Sequence, residues 1–339
     1  MMRYRRRTWL LTVLLTALIA ALAAGGLALA GKPAKPGGGG GGGTVPPGTI
    51  YFVQGDETFT ARTMKADGSG KADSVRGEPT YQLHEGARWF LTGIVSDADP
   101  FGQELFAVAD DGTEVPLGVN SHEAYSARWA KDDSFLSYEA FIDTPDGLTA
   151  ALFVAEVDWS FGFPLIGEPL KVLDTNVVEP YLVAFDWSPS GDEAVYMLVD
   201  YLEDSGPVYS LEVVRFFADG TTATRALVSE FSVNPEWSPD GSRIAFQGTS
   251  DAIWTIRPDG TDALKVSNNG PQSLTPHRDP HWSPDSQYLI FTQSTRNRLQ
   301  KGDLFITYSK DIVRISATGG GQTELTRDTD EKCYGIAWR

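Results

Sequence analysis

The chain has 339 residues, a formal net charge of −17, a sequence pI near 4.6 and one cysteine. So acidic a balance argues against nucleic acid and anionic membrane surfaces as partners. A lone cysteine, Cys333, excludes an internal disulfide, and its place just before a closing strand predicts burial.

At the N-terminus Arg3, Arg5, Arg6 and Arg7 precede an apolar run from Trp9 to Leu29, and Ala28-Leu29-Ala30 before Gly31 fits a small-x-small cleavage site. Residues 1–30 therefore read as an export signal. The run is also long enough to span a bilayer if left uncleaved. No cysteine follows it, which rules out a lipoprotein anchor. Residues 31–48, "GKPAKPGGGGGGGTVPPG", form a Gly/Pro linker without core-forming side chains. Its glycines follow no strand, so a nucleotide-loop reading is void.

Core-forming sequence begins with Gly48 to Lys71, an apolar strand and an Asp-Gly turn. The next segment, "EPTYQLHEGARWFL" (Glu78 to Leu91), opens a series. It carries Tyr81 where later copies carry tryptophan: "SARWAKDDSFLSY" has Trp129, "AFDWSPSGDEAVY" Trp187, "NPEWSPDGSRIAF" Trp237 and "DPHWSPDSQYLIF" Trp282. The terminal "YGIAWR" has Trp338. In the fullest copies a bulky aromatic ends a short strand. Ser-Pro-Asp-Gly then supplies turn chemistry, and an alternating apolar run follows. The markers recur every 45 to 58 residues, a spacing of blades, solenoid units or arrays. Each unit also carries a second hairpin, usually around Asp-Gly, as in "IWTIRPDGTDALKVS" and "LFAVADDGTEVPLGV"; "DIVRISATGGGQTELT" uses Thr-Gly-Gly instead.

Two hairpins make four strands, the blade of a β-propeller. The expected fold is all-β: a six-bladed propeller of four-stranded antiparallel blades over residues 49–339. Five blades are led by Tyr81, Trp129, Trp187, Trp237 and Trp282. The sixth is shared by the two ends, with the segment around Ile336 to Trp338 pairing with that around Ile50 to Val53 and closing the ring.

The stretch "PEWSPDGSRIAF…IWTIRPDG" resembles the repeat of TolB-type six-bladed propellers and is similar to the propellers of prolyl-oligopeptidase-like enzymes. The resemblance covers Thr49 to Arg339, most strongly the units led by Trp187, Trp237 and Trp282. It does not include the α/β domain that TolB carries before its propeller. The repeated Trp, Pro, Asp and Gly are specific for fold and uninformative about function. The resemblance implies a protein partner held at the channel face. Candidate contacts flank the first strands: Tyr125, Arg128, Asp186, Glu236, His277, Arg278, Asp279 and His281.

Catalytic motifs are missing. There is no G-x-S-x-G elbow and no H-E-x-x-H. "GSGKA" (Gly68 to Ala72) sits in a hairpin turn, and "EDSGPV" (Glu203 to Val208) lacks any triad context. "PHRDPHW" (Pro276 to Trp282) is the densest polar cluster. It reads as a loop ahead of a blade's first strand, a ligand or metal contact at the channel mouth or else a solvated loop. "RDTDEK" offers Asp328, Asp330 and Glu331 to calcium at a spacing that matches no recognised loop.

The preferred reading is a non-catalytic, exported scaffold of the cell envelope. It binds an envelope protein or peptide, acts as a monomer, needs no cofactor, and touches membrane only if its leader is retained. The alternative is a propeller enzyme, a carbohydrate lyase or a lactonase-type hydrolase. That reading requires three or more of His122, Asp186, Glu236, His277, Asp279 and His281 to converge on one cavity.

Overall fold

The computed structural model describes residues 46–55, 59–74, 89–95, 103–109, 111–121, 127–131, 133–144, 147–174, 181–202, 206–216, 222–267, 277–296, 308–326 and 332–338. They lie in one compact unit, Val45–Arg339. The leader and most of the linker fall outside them, as does Tyr81. Among the described residues no helix is long and apolar enough to cross a membrane.

The protein is an all-β propeller of antiparallel blades. Strands β1 (Thr49–Gly55), β2 (Phe59–Lys65) and β3 (Ala72–Asp73) come first. Strands β4 (Phe90–Val95), β5 (Gln103–Val108) and β6 (Glu114–Ser121) form a three-stranded sheet. A five-stranded sheet holds β7 (Ala127–Trp129), β8 (Phe135–Thr144), β9 (Gly147–Asp158) and two outer strands, β10 (Leu165–Ile166) and β11 (Leu170–Asp174). Two four-stranded sheets follow. One is β12 (Tyr181–Trp187), β13 (Glu193–Leu202), β14 (Gly206–Phe216) and β15 (Thr222–Val228). The other is β16 (Val233–Trp237), β17 (Ile244–Gly248), β18 (Ala252–Ile256) and β19 (Leu264–Lys265). Finally β20 (His277–Trp282), β21 (Tyr288–Arg296), β22 (Tyr308–Ser316), β23 (Thr323–Glu324) and β24 (Lys332–Trp338) join β1–β3 in an eight-stranded sheet.

Hydrogen bonding thus gathers the described strands into five sheets, not the six separate blades expected. The difference arises at the chain ends. There β20–β23 and the group β24, β1, β2, β3 are fused by a single parallel bridge, Lys310 to Lys332. Within this large sheet the first and last strands pair antiparallel, with Ile50 opposite Trp338 and Tyr51 opposite Ala337.

Each tryptophan turn has the same backbone. The residue after the tryptophan donates its N–H five residues on: Ala130 to Phe135, Ser188 to Glu193, Ser238 to Arg243 and Ser283 to Tyr288. The fourth residue after each tryptophan is left-handed: Asp133 (φ 59°), Gly191 (74°), Gly241 (73°) and Ser286 (59°). Glycine takes that region without steric cost, and a short polar side chain tolerates it. The serine of Ser-Pro-Asp-Gly is more than a turn former. Ser238 Oγ donates to Asp240 Oδ1 at 2.7 Å and accepts the Arg243 N–H at 3.0 Å. Ser283 repeats this with Asp285 (2.6 Å) and the Tyr288 N–H (2.9 Å).

The second hairpins turn as their Asp-Gly pairs predict. Asp67, Asp111 and Asp259 each accept the N–H two residues on, from Ser69, Thr113 and Thr261. Hydrogen bonds from the side chain and then the N–H of Ser69 and of Thr261, and from the N–H and then the side chain of Thr113, hold the three carboxyls below the usual range.

Among the described residues the core forms five apolar clusters, each built around one marker tryptophan and drawn from two neighbouring groups of strands. Trp237 packs with Ile244 and Phe246 of its own sheet and with Val195, Leu211 and Val213 of the preceding one. Trp129 does the same with Leu136 and with Leu91, Leu105 and Leu117. Trp187, Trp282 and Trp338 centre the other three. All five rings are buried, as is Cys333. The tryptophans are therefore seams between blades.

Candidate functional site

The first strands stand side by side, β12 against β16, β16 against β20 and β20 against β24. Along a strand alternate side chains face opposite sides. The residue before each buried tryptophan therefore points away from the seam. In four successive units that residue is Arg128, Asp186, Glu236 and His281. A register shift lies just upstream in three of them, at Leu182/Phe185, Val233/Glu236 and Arg278/His281. Such bulges re-aim side chains.

These residues meet as one ionic cluster. The Asp186 carboxylate is buried, accepts the Trp237 backbone N–H at 2.7 Å and pairs with Lys131 Nζ at 2.9 Å. Glu236 accepts the Trp282 N–H at 3.1 Å through Oε1 and meets His281 Nδ1 at 2.7 Å through Oε2. Burial pushes the Glu236 carboxyl up, but His281 and Lys131 outweigh it and hold it below its ordinary value. Glu236 is therefore ionised, so the proton in the 2.7 Å contact sits on His281 Nδ1. Burial lowers the Arg128 guanidinium to about 10, opposed by Asp186 and Glu236. It stays charged at neutral pH and donates to the Ala127 carbonyl at 2.8 Å.

A second layer lies two residues further upstream. Asn234 and Asp279 occupy the same repeat position and are both left-handed, φ 51° and 53°. Asn234 Nδ2 donates to Asp279 Oδ1 at 2.7 Å, and Thr292 Oγ1 lies 3.3 Å from Oδ2. Immediately before Asp279 on the same strand is Arg278, whose buried Nε has no hydrogen-bond partner among the described residues.

The sequence expectation for "PHRDPHW" is corrected in one respect. It is not a loop ahead of the first strand. His277 to Trp282 is that strand, β20, and the register shift at Arg278/His281 is what makes its polar residues look irregular. Of the expected contacts, Arg128, Asp186, Glu236 and His281 join one cluster, and Arg278 and Asp279 neighbour it. Tyr125 and His122 lie outside the described residues, as do the His277 side chain and Asp328 to Glu331. Three of the six residues named for an enzyme, Asp186, Glu236 and His281, come together. Two of them spend a carboxylate oxygen on a neighbouring blade's backbone.

Lys131 and Asn234 are participants that motif reading passes over. Lys131 had a signal, because it stands where Pro189, Pro239 and Pro284 stand in the other turns. Asn234 had none, since only the fold brings it to Asp279. Elsewhere Arg225, Arg243 and Arg257 line an open cleft of about 530 Å³. There Arg225 is taken up by Glu193 and the Pro258 carbonyl, and Arg243 by Asp262 and Thr255. No group of three or more His, Cys, Asp or Glu among the described residues is arranged to hold a metal ion.

No family model and no curated protein matches the chain. Solved structures do. An oligogalacturonate lyase in complex with manganese is 17% identical, with 82% of this chain and 72% of that chain covered and a TM-score of 0.46. A puromycin hydrolase is 17% identical over 81% of this chain and 45% of that one, TM-score 0.44. The β-propeller domain of the Trilobed protease from Pyrococcus furiosus is 11% identical over 83% and 95%, TM-score 0.46. At these values the propeller rests on the strand pairing and tryptophan seams described above, and the chain is similar to these proteins in fold alone.

Proposed function

We propose that the chain is an exported, TolB-like propeller whose channel face binds a protein or peptide of the cell envelope without catalysis. In this reading the units led by the marker residues form a ring closed by β1 and β24. The observation that carries the proposal is Arg278 Nε. A buried donor without an acceptor among the described residues is costly, and a carbonyl or carboxylate of a peptide that displaces the groups covering it would satisfy it. The surrounding charges support recognition over proton transfer, because Asp186 and Glu236 are tied to backbone N–H groups and Glu236 is held below its ordinary value.

The test is a cross-linked pull-down from envelope extract, read by mass spectrometry, with wild-type and Arg278→Ala baits. A partner enriched on the wild type and lost on the variant supports the reading. Equal recovery on both, or no enriched protein, overturns it. Export predicts a mature N-terminus near Gly31 on sequencing of native material; an intact leader in the membrane fraction would mean a tether instead.

The enzyme reading is favoured by one feature, the His281–Glu236 pair at 2.7 Å, in which a carboxylate orients an imidazole as acid–base catalysis requires. It expects turnover of an oligosaccharide or a lactone that disappears in His281→Ala. Turnover unchanged by that substitution, or none with either class, removes it.

A further inference from the structure

The outer edge of the β7–β11 sheet carries exposed apolar side chains. Of the six large hydrophobic side chains exposed among the described residues, four fall within ten positions: Phe161 (67% exposed), Phe163 (39%), Leu165 (41%) and Leu170 (67%). Strand pairing shows how part of this surface is built. Phe135 stands opposite Glu156, Leu170 opposite Val154 and Leu165 opposite Asp158. Paired residues share a face, and so do alternate residues of one strand. Phe135, Val154, Glu156, Asp158, Leu165 and Leu170 therefore share one face. On it is a cleft of about 510 Å³ lined by Phe135, Val154, Glu156 and Leu170 among others.

The segment between β9 and β10 is held in place. Trp159 Nε1 donates to the Asp133 carbonyl at 2.8 Å, and its ring lies 5.9 Å from Trp129 and 6.4 Å from Trp89. The Gly162 N–H closes a turn on the Trp159 carbonyl, and the Gly167 N–H bonds the Glu156 carbonyl. Phe161 and Phe163, with ring centroids 6.1 Å apart, are thus presented outward from an anchored loop. The charges at the surface are of one sign. Glu156 and Asp158 share the cleft's face, and Glu168 lies in the link from β10 to β11. Neither Glu156 nor Glu168 has an ion-pair partner among the described residues. The nearby cation, Lys171, pairs with Phe153 and so belongs to the opposite face.

We propose that this face docks an extended amphipathic segment of another protein. That segment would place an aliphatic or aromatic side chain in the cleft and lysine or arginine against Glu156, Asp158 and Glu168. An ordered apolar patch with a polar rim is the usual mark of an interaction site, and complementary charge sets partner choice. The carboxylates select the occupant. A second copy of this chain would set like charges against one another, and an anionic lipid surface would be repelled. The surface lies on the outer strands, so it stands or falls separately from channel-face binding.

Fluorescence polarisation of the full chain with a labelled Lys-Leu-Arg-Phe-Lys peptide tests the proposal. Glu-Leu-Glu-Phe-Glu and Lys-Ser-Arg-Ser-Lys serve as controls. Binding should be confined to the first peptide and should weaken about tenfold or more in Leu170→Asp and in Glu168→Lys, as for a buried anchor and a charge partner. Glu114→Lys on β6 should leave it unchanged. Both sites are exposed, so melting temperatures should match wild type. The proposal is overturned by no binding, by binding that Leu170→Asp leaves intact, or by equal loss with Glu114→Lys, which would mean non-specific attraction to an acidic protein. A dimer in light scattering that dissociates in Leu170→Asp, or phosphatidylglycerol vesicle binding lost with it, would also replace it.

Discussion

After Trp237 the chain reads Ser-Pro-Asp-Gly; after Trp129 it reads Ala-Lys-Asp-Asp. The backbone is the same in both turns, down to the left-handed fourth residue. The side-chain bonding is not. Ser238 ties its turn internally through Asp240 and the Arg243 N–H. Ala130 can make neither bond, and Lys131, in the proline position, instead reaches the next unit's Asp186. Even the tryptophans differ. Trp237 Nε1 donates to the Gly241 carbonyl at 3.2 Å, whereas Trp129 Nε1 is buried with no hydrogen-bond partner among the described residues. A copy that looks eroded has exchanged a local tie for one across the seam. Turn geometry needs only a few compatible φ/ψ values, so many side chains satisfy it. The freed position can then serve the tertiary structure.

The hardest test of the seams removes their centres. Trp237→Ala and Trp129→Ala should each cost about 3–5 kcal/mol, because both rings are buried between sheets. Urea melts decide it. A Trp129→Ala cost below about 1 kcal/mol would mean that the Trp129 seam is not equivalent to the others.

Asp186→Ala comes next. It strands the Lys131 ammonium and the Trp237 N–H together, and breaking one side of a buried pair costs about 3 kcal/mol or more. Lys131→Met should recover part of that loss. A double-mutant cycle on Lys131 and Asp186 should depart from additivity by more than about 0.5 kcal/mol. Additive behaviour would show that the lysine contributes nothing across the seam.

Smaller effects separate the turns themselves. Ser238→Ala should cost about 1 kcal/mol, and Ala130→Ser should gain no more than that. Trp237→Phe should exceed Trp129→Phe by about 1 kcal/mol, since among the described residues Trp237 Nε1 has an acceptor and Trp129 Nε1 has none. Equal costs would break this part of the comparison. Asp279→Ala should also cost about 1 kcal/mol, because Asn234 and Thr292 lose their acceptor.

The mildest difference is in acid. The Glu236 carboxyl is held below its ordinary value despite its burial, chiefly by His281 and Lys131. A carboxyl depressed in the folded state contributes stability that is present above its unfolded pKa and lost as pH falls through the folded one. The melting temperature should therefore fall below about pH 4.5, and the fall should be shallower in Glu236→Gln. Parallel curves for the two proteins would count against an ionised Glu236.

Much of the frame is legible in the sequence, because its causes act over a few residues. Trp-Ser-Pro-Asp-Gly fixes a turn, alternation fixes which face of the next strand is buried, and Asp-Gly fixes the second hairpin. The tryptophans had to be buried somewhere, and their recurrence pointed to seams. The place of "PHRDPHW" was less legible, because a bulged strand with Arg278, Asp279 and His281 on it has lost the alternation by which strands are recognised.

Local chemistry thus determined the strands, turns and burial of the repeat in advance. Only the tertiary structure decided that β20–β23 fuse with β24 and β1–β3, that Lys131 meets Asp186, that Asn234 meets Asp279, and that Arg278 Nε has no acceptor among the described residues. The physical reason is distance. Those contacts join residues far apart in the chain, and whether a few ångströms separate them depends on how neighbouring sheets seat on their tryptophans.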